Sequence, residues 1–517
     1  MSSESNKKKI SIKPNDDFSD VINEVGLLPY ECAKDIFKFV KTDYGLKPTG
    51  LFLYGVIQFL TSEGYFSKIL HDNAPIIIKD IDNVISKVRL GEIRHKLLEH
   101  AMSLEDGLDV QYGDKSVHVP KEKLVELVLQ HSQKVVKEDF LQSLPLHDKP
   151  ILRDDKFQSY FFFLNTIAVV SKAGLNFRNY SDLDYCCIWD GQIIQRNLNY
   201  NENEPPCHFR TFIENVTNRD EKRFASVTSA IGYLVHNYIN VTDGQAIILY
   251  DEEITDIGNP KGGTGKGLFA NAISQVCSTV KIDGKKFDTR DKFRYQNIKQ
   301  STQVVWLDDV KPSMGFDTFH SALTDGWTIE KKYETQVYIP PVESPKLLIC
   351  SNSILTRSGT TNIRRQFILE FSNHYSKHLI NGTEEPIKEE HGCMFFDDDH
   401  WDQTEWDSFF SFVLDCSQFY FKKGLVTYEH INVAKNLLLQ NTCEEFVDWL
   451  EQKGLKLDER YNTKDMFNHF KLTYFGEDSK LKQVTFSRFI KTYATGASLR
   501  YDRKKSNGES YFILSKK

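Results

Sequence analysis

The chain has 517 residues, 40% of them apolar, and a formal net charge of −7. Its length and apolar content support several buried cores, roughly two to four domains. The acidic balance excludes a uniformly basic nucleic-acid coat and leaves any such contact to local patches. The opening residues, Met1 to Lys9, lack the apolar core of a signal peptide. The longest apolar run, 160–170, is broken by Asn165 and is far shorter than the roughly 20 residues that span a membrane. A cytoplasmic protein with no membrane partner is expected.

Residues 1–150 are expected to be mainly helical, with amphipathic periods over 33–40 and 80–101 and a helix over 121–139. They would form a collar for subunit association or an inert scaffold. They carry no acidic pair with a following histidine of the kind a primer-making module has. Residues 151–240 change to an α+β bridging pattern: 185–194 reads as a strand, a turn at Asp190-Gly191 and a second strand, and 209–215 and 223–238 have helical spacing. The nine cysteines form no C-x-x-C pair and are expected to be reduced and buried. Cys186-Cys187 with Cys207-His208 is a poor zinc set, because adjacent cysteines chelate badly.

The apolar run 246–250 is a strand of the kind that feeds a phosphate-binding loop, although 251–259 intervene. Either the loop carries an excursion or another strand feeds it. The loop is Gly262-Gly263-Thr264-Gly265-Lys266-Gly267, followed by apolar residues at helical spacing. Glycines let backbone N–H groups converge on phosphate oxygens, the helix N-terminus adds partial positive charge, and Lys266 supplies a mobile cation for the β- and γ-phosphates. Two positions depart from G-x-x-x-x-G-K-[ST]: Pro260 stands at the first glycine, and Gly267 replaces the hydroxyl residue that ligates Mg²⁺. Residues 279–282 read as a strand and 289–300, polar and basic, as a helix. A buried strand over 303–307 then ends in Asp308-Asp309. One such carboxylate, Asp308, suits Mg²⁺ and the other an attacking water, so ATP and Mg²⁺ are the expected cofactors. Residues 326–341 alternate around a charged tip bearing Lys331 and Lys332 and read as a hairpin. A further strand over 345–350 ends in Ser351-Asn352, and Arg364-Arg365 precede the apolar run 366–369.

This order of motifs resembles the superfamily III helicases, and more narrowly the helicase part of phage and plasmid primase-helicases of the poxvirus type. The match lies at motif level over 246–371 and is looser towards the C-terminus. It implies an α/β fold whose core, 241–380, is a P-loop, AAA+-like parallel-sheet ATPase. It also implies catalytic roles for Asp308, Asp309, Asn352, Arg364 and Arg365, with Asn352 positioning the lytic water and an arginine reaching the neighbouring subunit's nucleotide. Lys331 and Lys332 would touch single-stranded DNA in the pore of a ring homo-oligomer, a hexamer. The chain looks like the helicase half without the primer-making half, so a separate primase or polymerase is an expected partner.

Residues 381–442 combine an acidic loop, with ten Asp or Glu against Lys388 over 381–410, and an aromatic packing helix over 406–421. Asp397-Asp398-Asp399-His400 reads as exposed loop before it reads as a metal site. Residues 443–517 place three helices before two strand-like segments joined at Ser506-Asn507-Gly508, a winged-helix-like pattern. Over 480–517 ten Lys or Arg oppose Asp502 and Glu509. This basic module is read as a duplex-docking device with Arg503, Lys504 and Lys505 near phosphates. The whole reads as an ATP-dependent ring-forming DNA helicase of a phage, plasmid or other mobile element, acting on single-stranded and forked DNA. The alternative is a nucleotide-gated DNA-binding or loading factor with weak or no unwinding.

Overall fold

The computed structural model describes residues 31–42, 45–71, 73–112, 115–201, 205–242, 244–253, 263–311, 314–355, 364–376, 382, 385–497, 499–506 and 508–516. They belong to two compact units that divide between Lys149 and Pro150.

The first unit is not the mainly helical region expected. Strands Glu31–Lys34, Phe37–Thr42 and Gly45–Leu51 form one antiparallel sheet, Tyr65–Lys68, Ile76–Ile81 and Val84–Lys87 form a meander, and Leu108–Tyr112 pairs with Lys115–Val119. Helices Leu53–Ser62, Leu90–Ser103 and Lys121–Val135 alternate with them. Over 37–40 the buried residues are Phe37 and Phe39, a period of two and not the helical period expected there. Over 80–87 the chain turns at Asp82 and Asn83, whose φ angles of 52° and 68° suit a tight hairpin.

The second unit is mixed α/β. Its centre is a parallel sheet of five strands, β1 (Ala246–Asp251), β2 (Thr279–Asp283), β3 (Val304–Asp308), β4 (Lys346–Cys350) and β5 (Gln366–Phe371), in spatial order β2-β3-β4-β1-β5. Alternate residues enter two different cores. Ile247, Leu249, Trp306, Leu348 and Leu369 pack with helices α1 (His208–Val216), α2 (Glu221–Val235), α3 (Lys266–Ser274) and α4 (Gln403–Lys423), while Ile248, Leu307, Ile349 and Ile368 pack with Phe316, Phe319, Trp327 and Ile339. Burial on both faces is why these strands read as continuous apolar runs. It also means that segments from 151–240 and 381–442 share a core with 241–380.

The strand, turn and strand expected over 185–194 are present, and the helix expected over 289–300 is not. Ile188–Trp189 and Ile193–Ile194 flank a turn at Asp190–Gln192 but do not pair with each other; Ile193–Ile194 lies parallel to Gln158–Phe163. Residues 289–300 form turns, because Asp288 and Asp291 accept the backbone N–H groups of Arg290 and Phe293, each at 2.9 Å. Such side-chain bonds compete with the helix.

Beyond the sheet, α5 (Val433–Asn441) leads to α6 (Glu444–Lys453), α7 (Thr463–Tyr474) and α8 (Gln483–Gly496), which enclose a core of Phe446, Trp449, Phe470, Phe486 and Phe512. An antiparallel sheet completes this module: β6 (Arg460–Asn462) pairs with β8 (Glu509–Lys516), which pairs with β7 (Leu499–Ser506). Asn462 caps α7, its side chain accepting from the N–H groups of Lys464 and Asp465.

Candidate functional site

Parallel strands deliver their last residues to one edge of the sheet, and the site is built there. Gly265 caps α3 with φ of 97° and ψ of 5°, in the left-handed region. A Cβ at this position would lie 2.6 Å from the Phe212 ring, so both the backbone turn and the space demand glycine. Thr264 and Lys266 then turn inward. The Thr264 hydroxyl donates to Asp251 Oδ1 at 2.5 Å, and the Lys266 ammonium pairs with the same oxygen. All three side chains are buried. Because Asp251 ends β1, this contact brings the loop back to β1 across the intervening residues and identifies β1 as the strand beside it.

The acidic pair lies at the end of β3. Asp309 has φ of 58°, unusual for a residue with a Cβ. It is held there by the Asn352 amide, which donates to Asp309 Oδ1 at 3.0 Å, and by the Val310 N–H, which donates to the Cys350 carbonyl at 3.1 Å. Lys285 pairs with the other Asp309 oxygen, and Lys281 lies 2.7 Å from Asp308 Oδ2. The bond to Asp309 raises the pKa of Lys285. Burial pushes the Cys350 thiol up to about 12 and keeps it neutral.

A cavity of about 360 Å³ unites these groups: Gly263, Thr264, Gly265, Lys266, Gly267 and Leu268 on one side, and Asp308, Asp309, Cys350 and Asn352 on the other. Loop, acidic strand end and polar strand end therefore converge. Gly262 and Pro260 lie outside the described residues.

Other expected site residues lie elsewhere. Arg364 and Arg365 precede β5, at the end of the sheet opposite the loop. Arg365 is buried and donates to the carbonyls of Val241, at 3.2 Å, and Gly244, at 2.8 Å. It anchors the chain before β1, whereas Arg364 is exposed. Trp327–Ile329 and Val337–Ile339 form the expected hairpin, with Lys332 exposed at its tip, half-buried Lys331 beside it, and the Lys332 ammonium 5.6 Å from the Phe293 ring centre. Arg503, Lys504 and Lys505 are exposed on β7. Cys207 is buried and caps α1, its sulfur accepting from the Arg210 N–H at 3.3 Å, a structural role. Asp397 accepts from the Asp399 N–H and pairs with His400 at 3.1 Å, closing an exposed turn. Among the described residues no group of three or more His, Cys, Asp or Glu could hold a metal ion, and no helix is long and apolar enough to cross a membrane.

Four residues escaped the sequence reading: Asp251, Lys281, Lys285 and Tyr333. Tyr333 stands wholly exposed at the hairpin tip. The signal for Asp251 was a carboxylate ending the strand before a buried loop lysine.

No protein-family model matches the chain, and no curated protein matches it. Solved structures similar to it include the A form apo structure of the NrS-1 C-terminal region, with a TM-score of 0.39 and 13% identity over 89% of this chain and 99% of that one. The A form of the 305–718 portion of that region gives 0.30 and 15% over 69% and 96%. Neither score is high enough to equate the folds, and function rests on the site's own residues.

Proposed function

We propose that the second unit is an ATP-driven DNA motor of the superfamily III helicase type, working as a ring. The observation that carries this is the single cavity shared by the Gly263–Gly267 loop, Asp308, Asp309 and Asn352. The strand order β5-β1-β4-β3-β2, read from the other edge, supports a P-loop ATPase core of the AAA+ type. The C-terminal helices with their β7–β8 hairpin support a winged-helix reading.

In this reading the N-terminal N–H groups of α3 receive the phosphates. Lys266 exchanges its bond to Asp251 for the β- and γ-phosphate oxygens. Asp309, oriented by Asn352, polarises the attacking water. The residues fit Mg²⁺ with one protein ligand, Asp308, since this ion is satisfied by one or two carboxylates plus phosphate oxygens and water. When bound it would neutralise charge on the phosphates. Arg364 acts only from another copy, because β5, with six residues, sets it about 20 Å from the loop end of the sheet. The hairpin offers Lys331 and Lys332 to a phosphate backbone and the Tyr333 ring to a base.

A specific observation favours the second reading, a nucleotide-gated loading factor: Gly267 offers no hydroxyl, and both strand-end carboxylates already hold lysines. One experiment separates the two. ATPase activity stimulated by single-stranded DNA, together with unwinding of a forked duplex, supports the motor. Stimulation without unwinding supports the loader, and absence of both nucleotide binding and hydrolysis removes the site assignment. A phage, plasmid or other mobile element as the setting rests on the motif resemblance.

A further inference from the structure

Three carboxylates, at the ends of β1 and β3 beside the loop, each carry a lysine: Asp251 holds Lys266, Asp308 holds Lys281 and Asp309 holds Lys285. The three pairs are not alike. Lys266 is buried, whereas the side chains of Lys281 and Lys285 are 54% and 66% exposed. Their positions follow from the sheet. Parallel pairing sets Asp283 beside Asp308 and Lys281 beside Trp306, so Lys281, two residues back on the same face, reaches forward to Asp308. Its ammonium also sits 4.1 Å from the Trp306 ring centre. Lys285 follows a turn fixed by the Gly284 N–H, which donates to the Asp308 carbonyl at 2.6 Å. Neither lysine belongs to the phosphate loop, and nothing in the motif pattern marked them.

The charge balance has a consequence for the metal. Asp308 and Asp309 bring two negative charges and Lys281 and Lys285 two positive ones, so these four side chains sum to no net charge, and Asp283 beside Asp308 is itself paired with Lys286. Position 267, where a Cβ would meet nothing within 4 Å, offers no hydroxyl in compensation. An ion entering alone meets Asp308 with the Lys281 ammonium already on Oδ2 and competes with that charge. A triphosphate changes that balance, because its oxygens occupy the cavity into which both carboxylates project. Each ammonium is then one carboxylate away from a second anion, on an exposed and flexible stem.

Resting on the reading of this cavity as a nucleotide site, we propose that Lys281 and Lys285 are further phosphate-binding residues, which transfer from Asp308 and Asp309 to the nucleotide and so uncover the metal site only when nucleotide is present. Metal and nucleotide are then positively linked, each strengthening the other by the same factor. The free protein is left without a formed metal site.

The test uses the full chain with two probes kept apart: Mn²⁺ alone, followed by its paramagnetic resonance signal, and ATP in EDTA, followed by calorimetry. Wild type is compared with Lys281→Ala/Lys285→Ala and with Lys281→Arg/Lys285→Arg. Both side chains are more than half exposed, so the substitutions leave the core intact, and the melting temperature checks this. The alanine pair is expected to bind Mn²⁺ about tenfold or more tightly than wild type and ATP in EDTA about tenfold more weakly. The arginine pair should stay near wild type in both. Opposite shifts are the signature, since a merely structural role would move both affinities the same way or neither. Unchanged Mn²⁺ affinity in the alanine pair, or ATP affinity in EDTA equal to wild type, overturns the proposal. If wild type binds no ATP with or without metal, the nucleotide-site reading itself falls and the phosphate role falls with it. The Mn²⁺ arm needs no nucleotide and reports separately whether the lysines cover the carboxylates.

Discussion

Replacing Lys266 with alanine should have two separable effects. From sequence a lysine on a glycine-rich loop is a surface group whose removal costs the fold little. In the structure it is 8% exposed and Asp251, its partner, 6%. Removing one member of a buried ion pair leaves an uncompensated charge, which costs about 3–5 kcal/mol. The Thr264 hydroxyl, which donates to Asp251 at 2.5 Å, offsets part of this and puts the expectation for Lys266→Ala at the lower end of that range. Asp251→Ala/Lys266→Ala removes both charges and should recover most of the loss, to within about 1 kcal/mol of wild type. Urea unfolding of the single and double variants measures the pair. ATP binding, expected to be lost in both, measures the phosphate role. If Lys266→Ala is as stable as wild type to within about 0.5 kcal/mol, or if the double variant is no more stable than the single, the buried pair is not what holds the loop to β1.

Arg364→Ala should abolish ATP hydrolysis and be rescued in part by mixing with Lys266→Ala subunits, whereas Arg365→Ala, which strips the Val241 and Gly244 carbonyls of their buried donor, should chiefly lower the melting temperature. Activity of the mixture and the melting curves of the single variants read the two. Lys331→Ala/Lys332→Ala should lower the slope of log affinity for single-stranded DNA against log salt by about 1–2, since each phosphate contact contributes about 0.7; an unchanged slope would contradict the hairpin's role. Gly267→Ser should be tolerated, because a Cβ there meets nothing within 4 Å, and should lower the Mg²⁺ concentration for half-maximal hydrolysis; if hydrolysis appears only in the variant, the loader reading replaces the motor. Burial raises the Glu405 carboxyl from its ordinary 4.5 to about 7, so the unfolded chain ionises first and stability falls as pH rises through that window. Glu405→Gln, which can still accept the His208 N–H, should therefore melt higher than wild type at pH 8 and close to it at pH 4.

The parts of the site that could be read from sequence are those whose chemistry is local. A glycine-rich turn before a helix and apolar strands ending in Asp308-Asp309 and Ser351-Asn352 carry their meaning in adjacent residues, and the parallel sheet brings them into one cavity. What escaped depends on partners distant in sequence. Nothing near Asp251 announces that Thr264 and Lys266 will fold back onto it. Lys281 and Lys285 acquire meaning only from the register that sets β2 beside β3. Arg364 and Arg365 are indistinguishable as neighbours, and burial alone assigns one to the core. In the first unit, the alternation over 37–40 is too short to separate period two from the helical period, and the turn at Asp82-Asn83 interrupts a stretch, 80–101, whose apolar spacing is helical.

The motor and loader readings make the same demand of the fold: what happens at the nucleotide must reach the basic C-terminal module. Helix α5 is the element placed to carry it. Gln440 bonds in both directions with the Ile354 backbone, two residues past Asn352, accepting at 2.8 Å and donating at 3.1 Å. Asn436 donates to the Glu252 carbonyl, one residue past Asp251, at 3.0 Å. The same helix puts Val433 into the core beneath the sheet and Leu438 against the core of the module. A nucleotide that draws Lys266 off Asp251, or reorients Asn352, therefore acts within two residues of a helix bonded to both strand ends. Packed cores shift between discrete arrangements and do not deform continuously, so such a helix would transmit a step. A loader needs that step once for each nucleotide bound. A motor needs it reversed by hydrolysis, and the acidic pair whose lysines must leave and return is where the two readings part.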